Sequence, residues 1–211
     1  YIMDTGKLLD DMLKEGKRVI FEGVQATMLD PDYGTYPYVT SSHPTIGGVA
    51  CGCGVGLGSI THTLGVMKAY TTRTGRGPFP TEIFGPEGSE LRERGDEYEP
   101  NGNFRRIGWF DAVAARYAVR VNGLEGLALT KMNALRDIKE VKICVGYRHG
   151  DDLIQVFPAN SEWLSECEPV YETLPGWGQI EGCNSYEELP QAAKDFVERI
   201  EELTGAKGMV L

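Results

Sequence analysis

The chain has 211 residues, 41% of them hydrophobic and 25% charged, the composition of an ordinary globular protein with enough apolar material for a sizeable core. A formal net charge of −10, with no run of Lys or Arg, argues against nucleic-acid binding, because neutralising phosphates requires a basic face. No apolar stretch approaches the roughly 18 to 20 residues that cross a bilayer and no signal-peptide pattern opens the chain, so a cytoplasmic protein without a membrane partner is expected.

Residues 4–16 (DTGKLLDDMLKEG) place Leu8, Leu9, Met12 and Leu13 at helical spacing and end on Gly16 in a C-cap position. Val19, Ile20 and Phe21 read as a buried central strand. Beyond them, residues 22–48 crowd Gly, Pro, Asp, Tyr, Thr and Ser together, a density of turn-formers that marks a loop. Irregular loops longer than about 12 to 15 residues are uncommon in compact domains and tend to be functional or disordered. The glycine-rich run over 47–58 leads into a predicted helix over 60–70, with a second strand at 69–73 overlapping its end.

Asp111 is placed to N-cap an Ala-rich helix over 112–121, and residues 124–130 read as a buried strand. Val141, Ile143 and Val145 alternate with Lys142, Cys144 and Gly146, and after Arg148-His149-Gly150-Asp151 a second strand over 153–157 completes a predicted hairpin. The clearest helix spans 190–204, with Pro190 at the N1 place and Ala193, Phe196, Val197, Ile200 and Leu203 as its stripe. The pattern predicts an α/β fold in a single domain over 1–211: a mixed, mainly parallel central sheet with flanking helices and an antiparallel hairpin. The chain opens on Tyr1 and closes on Gly208-Met209-Val210-Leu211, which reads as a strand cut short, so a fragment of a longer chain is expected.

Five cysteines at irregular spacing, Cys51, Cys53, Cys144, Cys167 and Cys183, are expected to be reduced thiols, and Cys51-Gly-Cys53 lacks the second pair that a zinc site needs. His43, His62 and His149 show no metal-ligand spacing. Gly52, Gly54, Gly56 and Gly58 alternate as in a phosphate cradle but lack the Gly-Lys-Ser/Thr ending of a P-loop, and close helix–strand packing explains them equally well. Arg105-Arg106 follows a turn-forming Asn101-Gly102 and is predicted to point two planar donor forks into a cleft, where they suit carboxylates and phosphates. Thr130-Lys131-Met132-Asn133 ends a predicted strand, and in open α/β sheets ligands bind beyond the carboxyl ends of strands.

Taken in order, "FEGVQATMLDPDYGTYPYVTSS", "KAYTTRTGRGPFPTE", "RRIGWFD", "LTKMN" and "PVYETLPGW…LPQAAKDFVERIEELTG" closely resemble the C-terminal half of the adenylosuccinate synthetase family, across nearly the whole chain. The resemblance implies part of a larger P-loop-related synthetase fold. It also implies a GTP-dependent ligase of purine biosynthesis: GTP phosphorylates the 6-oxygen of IMP, and L-aspartate displaces the phosphate to give adenylosuccinate. In this reading Gln25, Thr40 and Thr74 line the IMP pocket. Asn101, Gly102, Arg105 and Arg106 bind aspartate, with Arg106 clamping its carboxylate and neutralising charge near the transferred phosphoryl group. Arg106, Lys131, Met132 and Asn133 contact GTP. The phosphate loop, the catalytic Asp and His and the Mg2+ ligands are expected in the N-terminal half, so this chain alone is expected to hold no metal and to be inactive. Family precedent implies a homodimer.

Two departures bear on specificity. The family's Thr-Thr-Gly-Arg-x-Arg-Arg pattern carries three arginines, whereas Pro100-Asn101-Gly102-Asn103-Phe104-Arg105-Arg106 carries two, which leaves the amine donor open. Asn133 stands where relatives usually have Asp. A carboxamide offers one acceptor and one NH2 group, which suits adenine better than guanine, so a drift toward ATP is expected. The competing reading is a non-catalytic nucleotide-binding module.

Overall fold

A computed structural model describes residues 2–99 and 102–210. In chain order it comprises α1 (Thr5–Lys14), α2 (Ile46–Cys53), β1 (Leu64–Lys68), β2 (Thr71–Arg73), α3 (Gly85–Gly95), β3 (Arg106–Gly108), β4 (Phe110–Asp111) and α4 (Ala112–Asn122). These lead to β5 (Gly126–Thr130), β6 (Glu140–His149), β7 (Asp152–Ile154), α5 (Ser161–Ser165), β8 (Glu168–Pro175), α6 (Gln191–Thr204) and β9 (Lys207–Val210).

The first sheet is three-stranded and parallel in the order β1-β5-β9, with Lys68 at the end of β1 level with Thr130 at the end of β5. β5 is the middle strand, and its Leu127, Ala128 and Leu129 are fully buried, the unbroken apolar run that a parallel strand covered on both faces requires. β1 is the edge, and Val66 there is 72% exposed. α6 buries Ala193, Phe196, Val197 and Ile200 in the same core, where Phe196 meets Trp177 and Phe110 at ring-centroid distances of 5.1 and 6.2 Å.

The second sheet is built on β6, which pairs antiparallel with β7 and β8 and parallel with β4. Asp111 joins the second sheet to α4. Its carboxylate caps α4, accepting the Val113 and Ala114 N–H groups at 3.0 Å, and also accepts the Tyr147 hydroxyl of β6 at 2.6 Å. Burial pushes its pKa up, against those hydrogen bonds. β2 and β3 form a separate antiparallel pair, with Arg73 opposite Arg106.

The α/β class, the hairpin, the Asp111 cap, α4 and α6 follow the sequence reading. Pro190 is the N-cap residue of α6, one place before N1. Residues 60–70 are not a helix: Leu64–Lys68 is β1, because Thr61, Thr63 and Gly65 are poor helix formers and Gly65 gives Leu124 room to pack against the strand. Val19, Ile20 and Phe21 form no strand, since none of the described strands pairs with them, and Ile20 is 92% exposed. α1 forms as expected, from an Asp4 cap accepting Lys7 N–H at 2.9 Å to Gly16 at φ 73°, but its apolar stripe has no buried residue. α2, α3, β3, β4, α5 and β8 lie outside the elements expected from the sequence. The chain's closing strand exists as β9, with Leu211 outside the described residues.

Asp111→Ala leaves two helix N–H groups and the Tyr147 hydroxyl without their acceptor, and is expected to lower unfolding free energy by about 2 kcal/mol in urea titrations. Asp111→Asn, which keeps a capping oxygen, is expected to lose less.

Candidate functional site

Residues 22–45 are irregular, as their composition predicts, apart from one 3₁₀ turn at Thr27–Leu29. The loop is fastened from inside by Asp30, whose fully buried carboxylate accepts Asp32 N–H at 2.9 Å, Tyr33 N–H at 3.2 Å and the Thr45 hydroxyl at 2.8 Å. Burial opposes ionisation of Asp30, but these hydrogen bonds hold its pKa below the usual value. His43 Nδ1 lies 3.5 Å from Asp30 and 3.6 Å from Asp32. Gln25, held at φ 69°, donates its Nε2–H to Thr40 Oγ1 at 2.9 Å and accepts the Ser42 hydroxyl at 2.9 Å. Gln25 and Thr40 are therefore brought together, through an amide and a hydroxyl that add no buried charge.

Arg73, which the sequence reading did not single out, ties this loop to the next. It is 9% exposed, and it donates to Thr35 Oγ1 at 2.9 Å, Tyr38 O at 3.2 Å and Arg76 O at 2.9 Å. Among the described residues no carboxylate pairs with it; burial, aided by the charge of Arg106, pulls its pKa down to about 10. Gly77, at φ 114°, leaves space for that guanidinium, which a Cβ would strike. Thr74 follows Arg73 on the exposed turn.

Arg105 and Arg106 do not point into one cleft. Consecutive residues at the start of a strand face opposite ways. Arg106 makes a bidentate pair with Glu82, at 2.9 Å from Nε and 2.5 Å from Nη2, and donates Nη1 to the carbonyls of Gly75 and Gly77 at 3.2 and 2.8 Å. Its guanidinium is thus occupied by its own chain. Arg106 also lines a cavity of about 310 Å³ with Gly77, Pro78, Phe79, Pro80, Leu164, Ser165 and Cys167, which none of the other predicted site residues lines. Arg105 turns to Glu97, with Nη1 at 3.2 Å, and its buried Nε has no hydrogen-bond partner.

Glu97 is 1% exposed and accepts Lys68 Nζ at 2.7 Å, the Tyr70 hydroxyl at 2.7 Å and Arg105. Burial alone would raise its pKa, but these donors, Lys68 first, hold it below the ordinary value. Burial lowers the Lys68 pKa, Glu97 opposes this, and the positive charges of Arg105 and Lys131 add to the lowering. Two cations, Lys68 and Arg105, therefore hold one carboxylate at the carboxyl ends of β1 and β5, and Lys131 lies near enough to Lys68 for their charges to interact. Lys131, held at φ 61°, is exposed and donates Nζ to Gly95 O at 2.5 Å. Met132 is 1% exposed, so only its main chain is available at that end of β5. Asn133 donates its Nδ2–H to Glu181 Oε1 at 2.6 Å. Gly102 is exposed with φ 83°, and Asn101 lies outside the described residues.

Because the Glu97 pKa is depressed in the fold, the stability it supplies is complete above its ordinary value of 4.5 and is lost as pH falls below that toward the folded value. Glu97→Gln is expected to flatten the loss of stability below pH 4.5, measured by urea titration over a pH series. Near neutral pH the variant is expected to be less stable, by about 3 kcal/mol, because Lys68 and Arg105 lose their counter-charge.

The family model described as adenylosuccinate synthetase matches residues 1–210. Adenylosuccinate synthetases of Caldicellulosiruptor saccharolyticus and Heliobacterium modesticaldum are each 52% identical, over 98% and 100% of this chain but 49% and 50% of their own lengths. The chain thus spans about half the length of these curated relatives. A fully ligated adenylosuccinate synthetase from Plasmodium falciparum superposes with a TM-score of 0.96 at 38% identity, over 99% of this chain and 51% of that one. A cyanophage S-2L succinoaminodeoxyadenylate synthetase, bound to dGMP and to dATP as an energy donor, matches at TM-score 0.51 and 25% identity over 61% of this chain and 40% of that one. A family match over residues 1–210, on a fold whose strand ends gather these cations and loops, makes the chain a member of the adenylosuccinate synthetase family.

Proposed function

We propose that this chain forms the IMP-, aspartate- and guanine-facing part of an adenylosuccinate synthetase, which joins IMP and L-aspartate at the expense of GTP. The observation that carries the reading is a local excess of positive charge: Lys68 and Arg105 share the single buried carboxylate of Glu97, and Lys131 adds its charge beside Lys68, at the carboxyl ends of two parallel strands in a chain of net charge −10. Anionic substrates are drawn to a local excess of cations on an otherwise acidic surface.

In this reading Gln25, Thr40 and Thr74 hold the purine, phosphate and ribose of IMP through uncharged dipoles. Gly102 lies in the turn of the aspartate loop, and Asn101 is assigned to that loop by the family pattern alone. Arg105, whose side chain is 34% exposed beside its Nη1 pair with Glu97, meets the aspartate carboxylate, while Arg106, already paired with Glu82, fixes the Gly75–Gly77 turn beside it. This shifts the clamping role expected of Arg106 to its neighbour. Lys131 and the main chain of Met132 lie against the guanine base, with Asn133 at its edge.

Mg2+ does not fit the carboxylates of these two clusters: Glu82 is engaged by Arg106, and Glu97 by Lys68 and Arg105. The phosphate loop, catalytic Asp and His and metal ligands belong, on this proposal, to the half of the relatives' length that the chain does not span, and the working enzyme is a cytoplasmic homodimer.

The full-length gene product is expected to form adenylosuccinate only when IMP, GTP and aspartate are all present; no product under these conditions contradicts the proposal. Arg105→Ala is expected to raise the KM for aspartate on the order of tenfold or more, since a hydrogen bond to a charged group is worth about 1.5 to 3 kcal/mol, with the KM for IMP little changed.

A further inference from the structure

We propose that Glu181 is a specificity-determining residue of this site, its carboxylate held by Asn133 so as to read the two adjacent N–H donors of a guanine base. The inference rests on the nucleotide reading given above and adds to it a residue from a different segment.

Asn133 alone would present one acceptor and one NH2 group, the complement of adenine. In the structure neither is simply displayed. Its Nδ2 is bound to Glu181 Oε1 at 2.6 Å, and its Oδ1 is buried without a hydrogen-bond partner. The outward group at this strand end is then the exposed Glu181 carboxylate, and among the described residues no cation pairs with it.

Glu181 is not free to wander from Asn133. Trp177 Nε1–H donates to Met132 O at 3.3 Å, and Asp137 N–H donates to Trp177 O at 2.8 Å, so the segment before Glu181 is stitched to the segment around Asn133. On either side of Glu181, Ile180 and Cys183 pack against the main core, and Cys183 N–H closes a turn on Ile180 O at 3.2 Å. The carboxylate is the apex of that turn.

An ionised carboxylate only accepts. Guanine's N1–H and 2-amino group are neighbouring donors that match its two oxygens, in charge-assisted hydrogen bonds roughly twice as strong as neutral ones. Adenine would set the lone pair of its N1 against the same negative charge. The carboxylate missing from position 133 is thereby supplied by position 181, and the drift toward ATP expected from Asn133 alone is reversed.

The test is equilibrium binding of GTP, ATP and xanthosine triphosphate, which carries a carbonyl in place of the 2-amino group, to the full-length gene product and to Glu181→Gln. Glu181 is exposed, so the variant is expected to keep the wild-type thermal midpoint. Wild type is expected to bind GTP on the order of tenfold or more tighter than ATP; Glu181→Gln is expected to lose a similar factor for GTP, hold ATP within about twofold and gain affinity for xanthosine triphosphate. A wild type that prefers ATP or shows no preference, or a variant whose GTP and ATP affinities are unchanged or fall together, overturns the role of Glu181 alone. Binding of none of the nucleotides by wild type overturns the site reading and this inference with it.

Discussion

Glu97 is the constraint on which the arrangement of this site depends. A carboxylate that is almost wholly buried is costly unless charges and hydrogen bonds satisfy it, and Glu97 draws its partners from three places: Lys68 at the end of β1, Tyr70 in the following turn and Arg105 before β3. Main-chain bonds reinforce this, with Arg105 N–H on Glu97 O at 3.1 Å and Glu97 N–H on Arg92 O at 3.0 Å. One acidic side chain thereby sets the end of the parallel sheet, the end of α3 and Arg105 relative to one another.

The neighbouring Arg106 solves the opposite problem on the other face of β3. Its fork is filled by Glu82 and two carbonyls, and beside it Arg73 holds the long loop through Thr35 and Tyr38. Two adjacent arginines thus serve two clusters. The first gathers the uncharged groups of the long loop near a turn, and the second gathers cations at the strand ends. An anionic substrate placed across β3 would meet preset dipoles on one side and positive charge held by Glu97 on the other, so little reorganisation is left for the moment of binding.

Elements with a strong period were legible in the sequence. The stripe of α6, the alternation of β6 and the Asp111 cap each follow from local residue order. α3 was not, because its sequence is glycine-rich and charged and it buries only Gly88, Leu91 and Gly95. The 60–70 segment misled because Leu64 and Met67 fall at helical spacing, while its β5 partners lie far along the chain, Leu64 opposite Gly126, and leave no local trace. In the site, turn-former density marked the 22–48 loop, and the motifs marked Arg105, Arg106 and Lys131. Arg73, Glu97 and Glu181 were hidden for a single reason: a buried or committed charge reads like a surface charge until its partner is known. Those partners are distant, Lys68 lying 29 residues from Glu97 and Asn133 lying 48 from Glu181.

The separation of the two arginines into independent clusters is tested most directly by double-mutant cycles on unfolding free energy. Glu97 with Arg105, and Glu82 with Arg106, are predicted to couple by about 1 kcal/mol or more, while Glu97 with Arg106 is predicted to couple by about zero. A crossed coupling as large as the two direct ones would contradict the account.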